Sequence, residues 1–181
     1  MKKQSFSIAL CGVFGALSIV VMLLGVVVPI AMYIAPALAA LLVMIALEEC
    51  GSKMAWTLYG AVSLISLLFI PDKEVAFVYV FLLGYYPLVK PRFDAIRRGW
   101  VRVLAKLGFF NLALAVAYGL LMLLLFPGWK SMQWQPMEIL TTAAIWLMGN
   151  LAFYLFDKAL VSLLRLYQLV WKRRLHRMLR H

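Results

Sequence analysis

The stretch FSIALCGVFGALSIVVMLLGVVVPIAMYIAPALAALLVMIAL runs from Phe6 to Leu47 and carries no charged residue over 42 positions. A hydrocarbon core about 30 Å thick is crossed by about 20 helical residues. The run is too long for one crossing and fits two, with Pro29 punctuating a tight turn near residues 28–30. Expected spans are therefore about 6–28 and 30–48. The whole chain agrees with this reading: 66% of its 181 residues are hydrophobic and 14% are charged. Soluble domains carry about 45–50% apolar and about 25% charged residues. So short a chain cannot hide that much apolar surface in a water-soluble fold. An all-α integral membrane protein is expected.

Four further apolar blocks follow. The third span is expected over 54–70, ending at the turn PDKE (71–74), and the fourth over 75–89, short and with Pro87 in its last turn. The fifth runs over 103–126 and stops at PGW (127–129), and the sixth over about 138–160. Six spans put both termini on one side. With those termini, the 2–3 connection and the 4–5 connection assigned to the cytoplasm, 16 of the 18 Lys and Arg lie there, leaving only Lys73 and Lys130 outside. That asymmetry is the positive-inside pattern. It explains the basic run YYPLVKPRFDAIRRGWVRVLAK (85–106) as a cytoplasmic loop that sets orientation. Nucleic-acid binding is not expected, because the basic residues are divided between loops that flank spans. Lys2 and Lys3 before an apolar run look like a signal peptide, but the run is long and has no clear small-x-small cleavage site, so the first helix is expected to stay.

Two regions are expected: a six-helix transmembrane domain over 1–165 and a basic cytoplasmic tail over 166–181. Leu160, Leu164, Tyr167, Trp171, Leu175 and Met178 recur at steps of three and four. Arg165, Lys172, Arg173, Arg174 and Arg177 supply basic groups beside them, so the tail reads as an amphipathic helix suited to anionic lipid or a cytoplasmic partner.

Ionisable residues inside the spans are few. Glu48 and Glu49 close the second span, where a carboxylate opposes the helix dipole, so a basic partner such as Lys53 or the 4–5 loop is expected. Asp157–Lys158 near the inner end of span six reads the same way, as a structural pair. Cys11 and Cys50 have no metal-ligand spacing and read as packing residues. His176 and His181 stand apart from any carboxylate or cysteine cluster. No nucleophile–base pair, HExxH, GxxxxGK[ST] or other phosphate-cradling glycine loop occurs, so no enzyme activity, metal or cofactor is expected. Asn111, Asn150, Ser63, Ser66, Thr141 and Thr142 are mild polar groups at depth that suit helix–helix hydrogen bonds.

The outer side is aromatic: Tyr33, Phe77, Tyr79, Trp129 and Trp134, with Tyr118 and Trp146 one or two turns in. This is an interfacial belt or the lining of a small-molecule pocket with a few polar anchors, over which the 5–6 loop PGWKSMQWQPME forms a lid. On the first span Ala9, Gly12, Gly15 and Ala16 cluster at helical spacing, a face that lets another helix approach closely, inside this chain or in another subunit.

Six short spans in 181 residues, both termini inside, the opening FSIALCGVFGALSIVVMLL and the absence of a catalytic constellation resemble the substrate-binding (S) subunits of energy-coupling-factor transporters. The resemblance covers the chain to about residue 165. It implies a bacterial plasma-membrane protein that captures a vitamin or related micronutrient from outside. Its partners would be a transmembrane coupling subunit and ATP-binding-cassette ATPases. It implies that Ala9, Gly12, Gly15 and Ala16 face the coupling subunit, and it makes Tyr79, Tyr118, Trp129, Trp134, Trp146 and Asn150 candidate solute contacts. The chain departs from the family in a nearly absent first outer loop, around Pro29, and in a longer basic tail. The alternative is a non-transport membrane scaffold or assembly protein that recruits partners or lipid through that tail; a lipid-handling role is a third reading.

Overall fold

A computed structural model describes the backbone of residues 2–27, 31–125 and 136–178, and the side chains of 5–27, 31–120, 122–123 and 140–169. The described residues are helical with no strands. They form α1 (Lys2–Val27), α2 (Ala31–Cys50), α3 (Ser52–Phe69), α4 (Lys73–Phe77), a π-helix (Val78–Leu83), α5 (Tyr86–Asp94), α6 (Gly99–Leu125) and α7 (Pro136–Met178). Five stretches are long and apolar enough to cross a membrane: Ser5–Val27, Ala31–Cys50, Ser52–Phe69, Gly99–Leu120 and Leu140–Leu169.

The first three helices pack as a unit. Gly25 lies so close to α2 that a Cβ there would stand 2.4 Å from the Ala35 Cβ, so the two helices meet backbone to backbone. The α2–α3 turn is one residue, Gly51, at φ +83°, a conformation that glycine adopts without a Cβ penalty. Met22, Val43, Leu58, Val62, Val75 and Tyr79 form the core of this unit. A second core of Met44, Val78, Leu82, Tyr86, Phe110 and Phe153 joins α2, the π-helix and α5 to α6 and α7. Many large apolar side chains face outward, among them Leu68 at 75% and Ile145 at 70% exposure. An apolar exterior is what lipid solvates and water does not.

Two expectations need correction. The fourth apolar block is not one helix over 75–89 but α4, the π-helix, a bend at residues 84–85 and α5. The Gly84 N–H donates to the Tyr79 carbonyl at 2.7 Å, a bond five residues long that widens the turn. Pro87 then sits in the first turn of α5, where its missing N–H costs nothing. The second concerns the sixth span, expected over about 138–160, whose helix runs on into the tail expected over 166–181. They form a single helix of 43 residues. No Gly or Pro occurs between Asn150 and Met178 to break it.

Candidate functional site

Polar side chains gather at three places. The first lies where the α3–α4 turn meets α2 and α6. Asp72 caps α4 by accepting from the Glu74 N–H at 2.9 Å. Lys73 Nζ donates to the Leu67 and Ile70 carbonyls at 2.8 and 3.2 Å, satisfying the end of α3. This turn aims Glu74 across the bundle, where its Oε1 accepts from the Tyr33 hydroxyl at 3.0 Å and from the Tyr118 hydroxyl at 3.2 Å. One carboxylate so ties α2, α4 and α6 together. Beneath it, Phe77, Val78, Leu82 and Ala117 line a narrow cleft of about 10 Å³.

The second lies between α6 and α7. The Asn111 Nδ2 donates to Asn150 Oδ1 at 2.7 Å, and Trp146 Nε1 donates to Asn111 Oδ1 at 2.7 Å. Asn150 Nδ2 also donates to the Trp146 carbonyl at 2.9 Å. Tyr118 is seven residues, or about 10 Å of helix rise, from Asn111. The expected solute contacts are therefore distributed rather than gathered. Tyr118 belongs with Glu74 and Tyr33, whereas Trp146 and Asn150 belong with Asn111. Tyr79 is fully buried in the first core, its ring 6.0 Å from that of Tyr59, and its hydroxyl has no hydrogen-bond partner among the described residues. Trp129 and Trp134 lie outside the described residues.

The third is the most highly charged. Asp157, on α7, receives the Tyr86 hydroxyl at 2.6 Å on Oδ1, Lys90 Nζ on the same oxygen, and Lys106 Nζ at 2.9 Å on Oδ2. Lys106 also reaches Asp94 Oδ1 at 2.6 Å, and Lys90 reaches Asp94 Oδ2 at 3.7 Å. The side chains of Lys90 and Lys106 are 4% and 8% exposed. Two cations and two carboxylates thus compensate one another across α5, α6 and α7, as buried charges must. Phe153 packs beneath, stacked on Phe110 at 4.3 Å and edge-on to Tyr86 at 4.8 Å. The cluster forms one wall of a cavity of about 430 Å³ whose other lining includes Arg102, Lys158 and Arg165.

Sequence reading placed Lys90 and Lys106 in a solvated loop, and the structure buries both. Asp157 is paired as expected, but with these lysines rather than with its neighbour Lys158, which lies 5.5 Å from the Tyr154 ring. Glu48 accepts from Gln168 Nε2 at 3.4 Å. Among the described residues neither Glu48 nor Glu49 makes an ion pair with Lys53 or with the segment 90–106. On α1, Ala9, Gly12 and Ala16 are exposed, whereas Gly15 turns inward against Leu58. Arg165 is exposed at the cavity, and Lys172, Arg173, Arg174 and Arg177 continue α7 beyond the described side chains. No group of three His, Cys, Asp or Glu that could hold a metal occurs among the described residues.

No family model, curated protein or solved structure matches this chain.

Proposed function

We propose that this chain is the substrate-capture subunit of an ATP-driven importer of small solutes in a bacterial plasma membrane. It crosses six times, with the 22 residues from Lys73 to Asp94 as the fourth, broken crossing and both termini in the cytoplasm. The basic Lys90–Lys106 end then faces inward and the Glu74 end outward, in keeping with the positive-inside rule. Solute capture rests on one observation. Glu74, at the outer end, holds the hydroxyls of Tyr33 and Tyr118 from two other helices, above a cleft with apolar walls. A carboxylate and two phenols beside apolar side chains are the polar anchors that a small, apolar or aromatic solute would use once the helices part, the closed cleft of about 10 Å³ holding no more than a water. Solute entry parts α6 from α4 and replaces the tyrosine hydroxyls on Glu74 with its own donor. Docking on a coupling subunit uses the small residues Ala9, Gly12 and Ala16, which leave an open face on α1. The chain supplies capture, and partner ATPases supply the energy.

The test is purification of the tagged protein from its native membrane in mild detergent, with mass spectrometry of proteins and small molecules. Co-purifying ATP-binding-cassette ATPases, a membrane coupling protein and a retained metabolite are expected. Recovery of cell-envelope or lipid-synthesis proteins in their place would turn the reading to a membrane scaffold. For the retained metabolite, Glu74→Gln is expected to weaken binding at least about tenfold, since a hydrogen bond to a charged group is worth about 1.5–3 kcal/mol. Trp146→Ala, on the separate Asn111 cluster, is expected to have the smaller effect.

A further inference from the structure

The cavity between α5, α6 and α7 has a charge imbalance that its ion pairs do not use. Lys90 and Lys106 are matched two for two by Asp94 and Asp157. Arg102, Lys158 and Arg165 line the same cavity and make no ion pair among the described residues. Its lining therefore carries a surplus of three positive charges. Lys158 and Arg165 are seven residues apart on α7, two turns along one face, with Arg102 opposite on α6. Leu107, Phe153 and Val161 add an apolar wall beside these cations. Both acids that an incoming anion would meet already hold lysines, so their repulsion is largely cancelled.

We infer that this cavity binds a phosphate ester attached to an apolar body. A phosphomonoester carries about −1.5 to −2 at neutral pH and offers three acceptor oxygens, a better match for the three unpaired cations along this cavity than a single carboxylate. The two arginines present planar forks that pair with phosphate oxygens. The apolar wall accepts the remainder of the molecule, and about 430 Å³ is the volume of a small-molecule site. Basic pockets between membrane helices take lipid headgroups by the same chemistry. A soluble phosphorylated compound with an apolar group presents an equivalent ligand. This site is separate from the Glu74 end and does not depend on its reading.

The experiment follows the thermal unfolding of the full chain in nanodiscs of phosphatidylcholine alone. Short-chain phosphatidic acid is titrated in one arm and phenyl phosphate in the other. At least one is expected to raise the midpoint saturably. In the double variant Arg102→Gln/Arg165→Gln the half-saturating concentration is expected to rise about tenfold or more, as loss of charge-assisted bonds requires. Lys53→Gln, at the start of α3 and outside the cavity lining, is expected to leave it unchanged. Saturation by the lipid alone names the membrane as the source of the ligand; saturation by phenyl phosphate alone names a soluble one; either supports the site. Lys158→Gln gives an independent reading should the double variant unfold. The inference falls if neither probe saturates. It also falls if Lys53→Gln weakens binding as much as the cavity variants do, because the attraction would then be that of a basic surface.

Discussion

Asp157 holds more of the structure than any other single carboxylate described here. Its two oxygens receive a phenol and two ammonium groups drawn from α5 and α6. Removing one partner from a buried ion pair leaves an uncompensated charge and costs about 3–5 kcal/mol. Asp157→Asn is therefore expected to lower the denaturation midpoint in detergent steeply, since it leaves two buried lysines to share the half-exposed Asp94. Tyr86→Phe deletes one hydrogen bond to a charged group, about 1.5–3 kcal/mol, and is expected to show the smaller fall. Equal losses in the two variants would mean that the lysines find water instead. That Asp157 is paired was legible at the residue scale, but its partners were not. Lys90 and Lys106 are 67 and 51 positions from Asp157, and no local pattern joins them. A basic run between apolar blocks reads as a loop for topology, and that reading misses a charge brought back under a helix. Glu74 escaped for a similar reason, because an acid in a turn gives no sign of two distant tyrosines.

At the scale of elements, apolar blocks and prolines revealed most of the helices. The ends of α1 to α3 and of α6 fall within a few residues of expectation, because charge and Pro or Gly fix them. The π-helix was not legible, since a turn widened by one residue leaves almost the same hydrophobic pattern as an α-helix. Gly84 is what permits it. A Cβ there would lie 2.7 Å from the Tyr79 carbonyl oxygen and 2.8 Å from its ring. Gly84→Ala must displace the backbone or that ring, an overpacking that costs about 1–3 kcal/mol. A lowered thermal midpoint is expected for Gly84→Ala, and none for Gly60→Ala, where nothing lies within 4 Å. If both are silent, the π-helix tolerates the methyl group and the close contact has no energetic weight. The composition changes after residue 165, but a change of composition without Gly or Pro does not end a helix, and α7 runs through to Met178.

For the whole molecule, membrane residence follows from the 42-residue uncharged run and from the apolar exterior. Orientation rests on where the cations fall. A fluorescent protein that folds only in the cytoplasm is expected to light up when fused after His181, and an exported phosphatase at the same point is expected to stay inactive. The reverse pattern would invert the bundle and put the phosphate-ester cavity outside. The candidate solute site was legible only in its residue types. Aromatics near one end marked a region, but which of them meet depends on helix rotation, and rotation is fixed by packing rather than by hydropathy.

The unbroken α7 has a mechanical consequence. Forty-three residues of continuous helix extend about 65 Å, well beyond a bilayer of about 40–45 Å including its headgroups. α7 stays against α2 as far as Gln168, whose Nε2 donates to Glu48, so the part that projects is the remainder to Met178, about 15 Å of helix. Were the membrane portion to tilt by about 20°, a typical inclination for a crossing helix, the far end would swing through about 5 Å. The phosphate-ester cavity lies just before the projecting part, between α6 and the packed part of α7. Whatever wedges or releases those two helices there is geared, without any hinge residue, to the position of the basic cluster Lys172–Arg174 at the tip.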